Sequence, residues 1–145
     1  VGRGVTALFA NARVSDAQRA LAAALMGAVG EVVWLDDEAM MDAVTAVSGS
    51  GPAYVFHLIE ALAEAARAAG LPAAMAEALA RATVTGAAEL AFRSDVPAAT
   101  LREQVTSPGG TTEAALKVLM ADDGLAALMT RAVAAATKRS RELAG

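Results

Sequence analysis

Gly30-Glu31-Val32-Val33-Trp34-Leu35-Asp36-Asp37-Glu38-Ala39-Met40-Met41-Asp42-Ala43-Val44 decides how this chain is divided. Val32 to Leu35 is a short run of branched and aromatic residues suited to a strand, and no comparable run follows it. Asp36 and Asp37 can cap a helix carrying Met40, Met41 and Val44. The structure type is therefore expected to change near Leu35–Asp37, with strands only before it.

Upstream, Val5 to Phe9 reads as a second short strand. Between the two, Ser15 and Gln18 have capping-box spacing, and Leu21, Leu25 and Met26 recur at helical intervals until Gly30. This is a strand-helix-strand unit, the size of one crossover in a parallel sheet. Two strands cannot bury both faces of a sheet.

Downstream, the helix from Asp36 is expected to break at Ser48-Gly49-Ser50-Gly51-Pro52. Another should run from about Ala53 to Ala69, with Pro52 in its first turn and Gly70-Leu71-Pro72 ending it. Apolar residues cover most of its circumference, so burial nearly all round is expected. Further helices are expected at about Ala73–Phe92, Ala98–Val105, Thr111–Met120 and Gly124–Leu143. So much alanine permits close helix approach and points to a helical interface between subunits.

Composition narrows the class. At 145 residues the chain suits a single compact domain, which would bury about 68–70% of its unfolded surface. Hydrophobic residues make up 56% but aromatics only 3%, which favours packed helices over a sandwich of strands. A net charge of −4 without long basic runs argues against nucleic acid as a partner. The cluster Lys138, Arg139 and Arg141 complements a helix C-terminus. The absence of cysteine excludes disulfides and thiolate metal sites and fits a reducing cytoplasm. No stretch has the length and apolarity of a membrane span, and the first thirty residues lack a signal-peptide pattern.

Few residues here could carry chemistry. The single histidine, His57, has no partner ligands for zinc and is read as a partly buried core residue; no metal site is expected. Ser48–Pro52 follows a helix and lacks G-x-G-x-x-G spacing, so it fails as a dinucleotide fingerprint. Thr106-Ser107-Pro108-Gly109-Gly110-Thr111-Thr112 is the strongest candidate. Two glycines ahead of a helix start let a small anion approach unpaired amides at the positive end of the dipole. The plainer alternative is an ordinary turn, with a threonine oxygen capping the helix.

Asp42-Ala43-Val44-Thr45-Ala46-Val47-Ser48-Gly49-Ser50-Gly51-Pro52-Ala53-Tyr54, followed by Val105-Thr106-Ser107-Pro108-Gly109-Gly110-Thr111-Thr112, resembles the paired signature of pyrroline-5-carboxylate reductases. The similarity extends from Val1 to Arg139-Ser140-Arg141-Glu142-Leu143. It implies a mainly α fold: residues 1–35 as the end of a Rossmann nucleotide domain, and residues 36–145 as a helical dimerisation and substrate-binding domain. It also implies NADPH or NADH as cofactor, bound mainly by an N-terminal domain, with the residues that distinguish the two lying in that half. The glycine fingerprint for the pyrophosphate is absent, so the isolated chain is expected to be inactive. The implied partners are a second copy in a homodimer, able to assemble further into a decamer, and the substrate 1-pyrroline-5-carboxylate with its product L-proline.

The resemblance implies hydride transfer to the C=N carbon. Gly109, Gly110, Thr111 and Thr112 would cradle the substrate carboxylate, and Ser107 would shape or contact the pocket. Thr112 would be catalytic, its hydroxyl beside the imine nitrogen. Glu38 would approach the ring nitrogen, where a carboxylate favours the protonated, electrophilic iminium; its plainer role is an acid in a first helical turn. Gln104 would touch the nucleotide, and Gly51 and Pro52 would lie beside the nicotinamide. The competing readings are a non-catalytic helical dimerisation module and a related imine or keto-acid reductase.

Overall fold

The computed structural model describes residues 2–145. Val1, the first residue of the expected 1–35 segment, lies outside the described residues. The chain forms two compact units, one running through Gly51 and taking back Ala132–Gly145, the other comprising Pro52–Arg131. In sequence the units meet at Gly51–Pro52 and at Arg131–Ala132.

In the first unit, β1 (Gly4–Phe9) and β2 (Gly30–Leu35) pair in parallel, from Gly4 opposite Gly30 to Phe9 opposite Leu35. A Cβ at Gly30 would collide with the Gly4 carbonyl, so the register requires glycine there. The crossover is α1 (Asp16–Gly27), started by the expected capping box. Gln18 N–H donates to Ser15 Oγ at 3.3 Å, and Ser15 N–H donates to Gln18 Oε1 at 2.9 Å. The Arg19 guanidinium lies 4.2 Å from the Trp34 ring centroid, tying α1 to β2 through a cation–π contact.

Beyond β2, Asp37 Oδ1 accepts the Ala39 N–H at 2.9 Å and starts a 3-10 turn over Glu38–Met40, followed by α2 (Met41–Val44). The expected break within Ser48–Pro52 falls at Ser50, which separates a π-helical turn over Thr45–Gly49 from α3 (Gly51–Ala68), with Ser50 N–H donating to the Thr45 carbonyl at 2.9 Å. Pro52 stands in the first turn of α3, as expected, where its missing N–H costs nothing. The far end of the chain is tethered to this segment. Ser140 Oγ donates to Asp42 Oδ1 at 2.6 Å, and Arg141 Nε lies 3.6 Å from Asp42 Oδ2.

In the second unit α3 stops at Gly70, whose φ is +99°, with Leu71 N–H reaching back to the Ala66 carbonyl at 3.1 Å. Then follow α4 (Ala73–Phe92), α5 (Ala98–Gln104) and α6 (Thr111–Leu119), while α7 (Leu125–Ala144) carries the chain back to the first unit.

Burial departs from expectation. Among the described residues the buried hydrophobic ones are all alanine: Ala46, Ala63, Ala76 and Ala80. Val55, Phe56, Leu58 and Leu62 of α3 are exposed, where burial nearly all round was expected. A helix apolar on most sides needs neighbours on most sides, and one copy of this chain does not supply them. His57 is likewise not in a core: its side chain is 80% exposed and Nδ1 lies 3.1 Å from Glu60 Oε2.

Candidate functional site

The Thr106–Thr112 stretch lies wholly in the second unit, between α5 and α6. Ser107-Pro108-Gly109-Gly110 forms a reverse turn closed by Gly110 N–H donating to the Ser107 carbonyl at 3.0 Å. Proline second and glycine third, with Gly109 at φ +71°, make it a type II turn; only glycine takes that third position without strain. Before the turn, Thr106 Oγ1 donates to the Arg102 carbonyl at 2.6 Å and closes the end of α5.

The turn delivers α6 with Gly110 as its N-cap and no side-chain cap. A threonine oxygen, the plainer expectation, therefore does not cap this helix. The cradle amides differ in their occupancy. Gly109 N–H donates to Glu113 Oε2 and Gly110 N–H is spent on the turn, so neither is free for a ligand. The N–H groups of Thr111 and Thr112, in the first turn of α6, have no acceptor among the described residues, nor do their hydroxyls donate to one. Thr111 is exposed and Thr112 half-buried. The amides without an acceptor thus sit one step further along the chain than the two glycines.

Glu113 was not among the residues the sequence singled out. Its Oε1 lies 3.0 Å from Lys117 Nζ, one helical turn on. The Gly109 N–H, and secondarily Lys117, hold its carboxyl below the ordinary value of 4.5. The available signal was an acid at the third helical position after a glycine N-cap, the place from which a carboxylate reaches back to free amides.

The other expected residues stand as follows. Gln104 is the exposed last residue of α5, in the same unit as the turn. Glu38 is exposed at the start of the 3-10 turn in the first unit, and Gly51 and Pro52 fall where the two units meet in sequence. Ser48, just before them, donates to the Val44 carbonyl at 3.0 Å. It lines an apolar cavity of about 430 Å³ with Val5, Val33, Leu35, Met40 and Val44. Among the described residues no group of acids and histidine could hold a metal ion, and no helix is long and apolar enough to cross a membrane.

A parallel strand-helix-strand unit leading into a run of helices, with acceptor-free amides and a hydroxyl at the start of α6, places the chain among mainly helical proteins that carry a fragment of parallel sheet. Comparison with known proteins specifies which. The family described as pyrroline-5-carboxylate reductase dimerisation matches residues 38–143, and the chain belongs to it. The pyrroline-5-carboxylate reductase of Pseudomonas aeruginosa is 52% identical over 142 residues, covering 98% of this chain and 52% of that protein. That of Synechocystis sp. is 50% identical, covering 99% and 53%. Among solved structures, the pyrroline-5-carboxylate reductase of Coxiella burnetii superposes with a TM-score of 0.90 at 46% identity, covering 98% of this chain and 52% of that one. Plasmodium falciparum pyrroline carboxylate reductase with NADP bound gives 0.81 at 30% identity, covering 99% and 54%. The chain spans about half the length of the curated relatives it matches.

Proposed function

We propose that this chain is the substrate-side and subunit-pairing half of a reductase that converts 1-pyrroline-5-carboxylate to L-proline with NAD(P)H. The observation that carries the reading is the type II turn at Ser107–Gly110, which leaves the Thr111 and Thr112 amides free at the start of α6 beside the Thr112 hydroxyl. Two adjacent N–H groups at the positive end of a helix suit the single carboxylate of the imino acid. Ser107 shapes the near wall, and Gly109 and Gly110 serve as turn formers rather than donors.

The reducing group supplies a hydride to the C=N carbon. Among the described residues nothing forms a cradle for the nucleotide pyrophosphate: the β1–α1 connection reads Ala10-Asn11-Ala12-Arg13-Val14-Ser15, without a glycine. Residues 1–35 are read as the closing strand-helix-strand of the nucleotide domain, and the apolar cavity beside Ser48 has the character of a wall for an aromatic ring. The chemistry of this chain is therefore confined to the imino acid. As the C=N bond is reduced, electron density moves onto the ring nitrogen, and a hydrogen bond from Thr112 Oγ1 strengthens at that moment. That makes Thr112 the catalytic residue. Glu38 keeps its proposed place near the ring nitrogen, with Gln104 touching the nucleotide. Cytoplasmic location is part of the same reading.

The exposed row Val55, Phe56, Leu58 and Leu62 is assigned to a second copy of the chain in a homodimer. Titrating the ¹⁵N-labelled chain with L-proline tests the ligand. Selective shifts of the Thr111 and Thr112 amides are expected, and they should persist in Thr112→Ala, which keeps both backbone donors. No shift at millimolar proline would favour a non-catalytic dimerisation module, and shifts with a keto acid but not proline would favour a related reductase.

A further inference from the structure

We propose that Glu113 is a positioning residue for the imino-acid site: its carboxylate clips the Gly109 amide and thereby holds the Ser107–Gly110 turn in the form that leaves Thr111 and Thr112 free for the ligand. The inference rests on the reading of that loop given above and adds a residue to it.

The turn has little else to hold it. Ser107, Pro108 and Gly109 are exposed, and one backbone hydrogen bond closes the loop. Gly109, at φ +71°, has the widest conformational freedom of any residue type, with no side chain to pack. The N-cap, Gly110, brings no side chain to the helix start. Restraint comes instead from the third residue of α6, whose Oε2 accepts the Gly109 N–H while Oε1 pairs with Lys117. Without that acceptor the Gly109 amide would be an orphan donor beside two others, free to turn toward the same anion and pull the loop out of register.

The charge around Glu113 supports a geometric role. Lys117 faces it from α6, and Arg102 and Glu103 of α5 line the same cavity of about 360 Å³. Two cations and two acids leave that surroundings close to neutral. The clip thus adds little repulsion toward an incoming carboxylate.

The test uses the ¹⁵N-labelled chain, L-proline as probe, and the variants Glu113→Gln and Glu113→Ala, at a temperature where each is fully folded. In the unsubstituted chain the Gly109 amide resonance should move as pH falls below the ordinary carboxylate range, and this response should vanish in both variants. Proline affinity should fall by about three- to tenfold in Glu113→Ala and be partly restored in Glu113→Gln, which keeps an acceptor without charge. Lower melting with unchanged proline affinity would overturn the inference, leaving Glu113 as helix stabiliser only. A Gly109 amide indifferent to pH would overturn the clip itself. No response to proline in the unsubstituted chain would overturn the functional reading and the inference with it, distinguishable because the Gly109 titration needs no ligand. If Glu113→Ala fails to fold, the Gln variant decides on the same criteria.

Discussion

Thr112 offers a backbone donor and a hydroxyl from one residue, and the proposed reaction separates their uses. The amide holds a carboxylate whose charge does not change, whereas the hydroxyl meets a nitrogen that becomes more basic during reduction. Thr112→Ser should therefore retain proline binding and most activity, while Thr112→Ala in a complete enzyme should lower kcat more than it raises KM, as steady-state kinetics would show. Glu113 gives a pH signature. Its carboxyl is held below the ordinary 4.5, first by the Gly109 N–H and then by Lys117. The stabilisation is thus fully present above that value and is lost as pH falls through the lowered one. Melting temperature measured downward from pH 5 should fall less steeply in Glu113→Gln than in the unsubstituted chain; parallel curves would exclude the linkage. The turn was legible in sequence from Pro108, Gly109 and Gly110. Which amides it leaves free was not, because that depends on the reach of one carboxylate three residues into the helix.

At the scale of elements, the local signals that proved reliable were those satisfied within a few residues. Ser15 with Gln18 and Asp37 with Ala39 close hydrogen bonds inside one turn, and Gly70 and Leu71 donate back to the Arg67 and Ala66 carbonyls, each where its pattern implies. Ser48–Pro52 likewise interrupts the helices, at Ser50; the π form of the Thr45–Gly49 turn before it is what the glycines and proline did not announce. Two substitutions separate local stability from site geometry. Ser15→Ala should cost about 1 kcal/mol in chemical denaturation and leave proline affinity unchanged. Gly109→Ala meets no atom within 4 Å, so its cost, about 1–2 kcal/mol, comes from the backbone at φ +71°. Because the strain falls in the turn itself, this variant should also weaken proline binding.

At the scale of the whole molecule, the buried hydrophobics among the described residues are all alanine while Val55, Phe56, Leu58 and Leu62 are exposed on α3, and this is the main discrepancy between pattern and single-chain structure. A helical period reports that a face is meant to be covered but not by which chain, which is why the all-round burial expected of α3 and the core placement of His57 both failed. With a second copy as the cover, unfolding becomes concentration-dependent. The melting temperature should rise with protein concentration, and Phe56→Glu should shift sedimentation toward monomer. A concentration-independent melt would argue against the assignment. The family membership and the free amides of α6 meet in one claim, that this half carries the imino-acid side of the reaction. The most direct test joins to this chain the part of the Pseudomonas aeruginosa relative that it does not cover and measures reduction of 1-pyrroline-5-carboxylate by NADPH. The account predicts turnover in the chimera and a loss of kcat of about 100-fold in Thr112→Ala. A folded, dimeric chimera that reduces the substrate equally well with and without the Thr112 hydroxyl would contradict it.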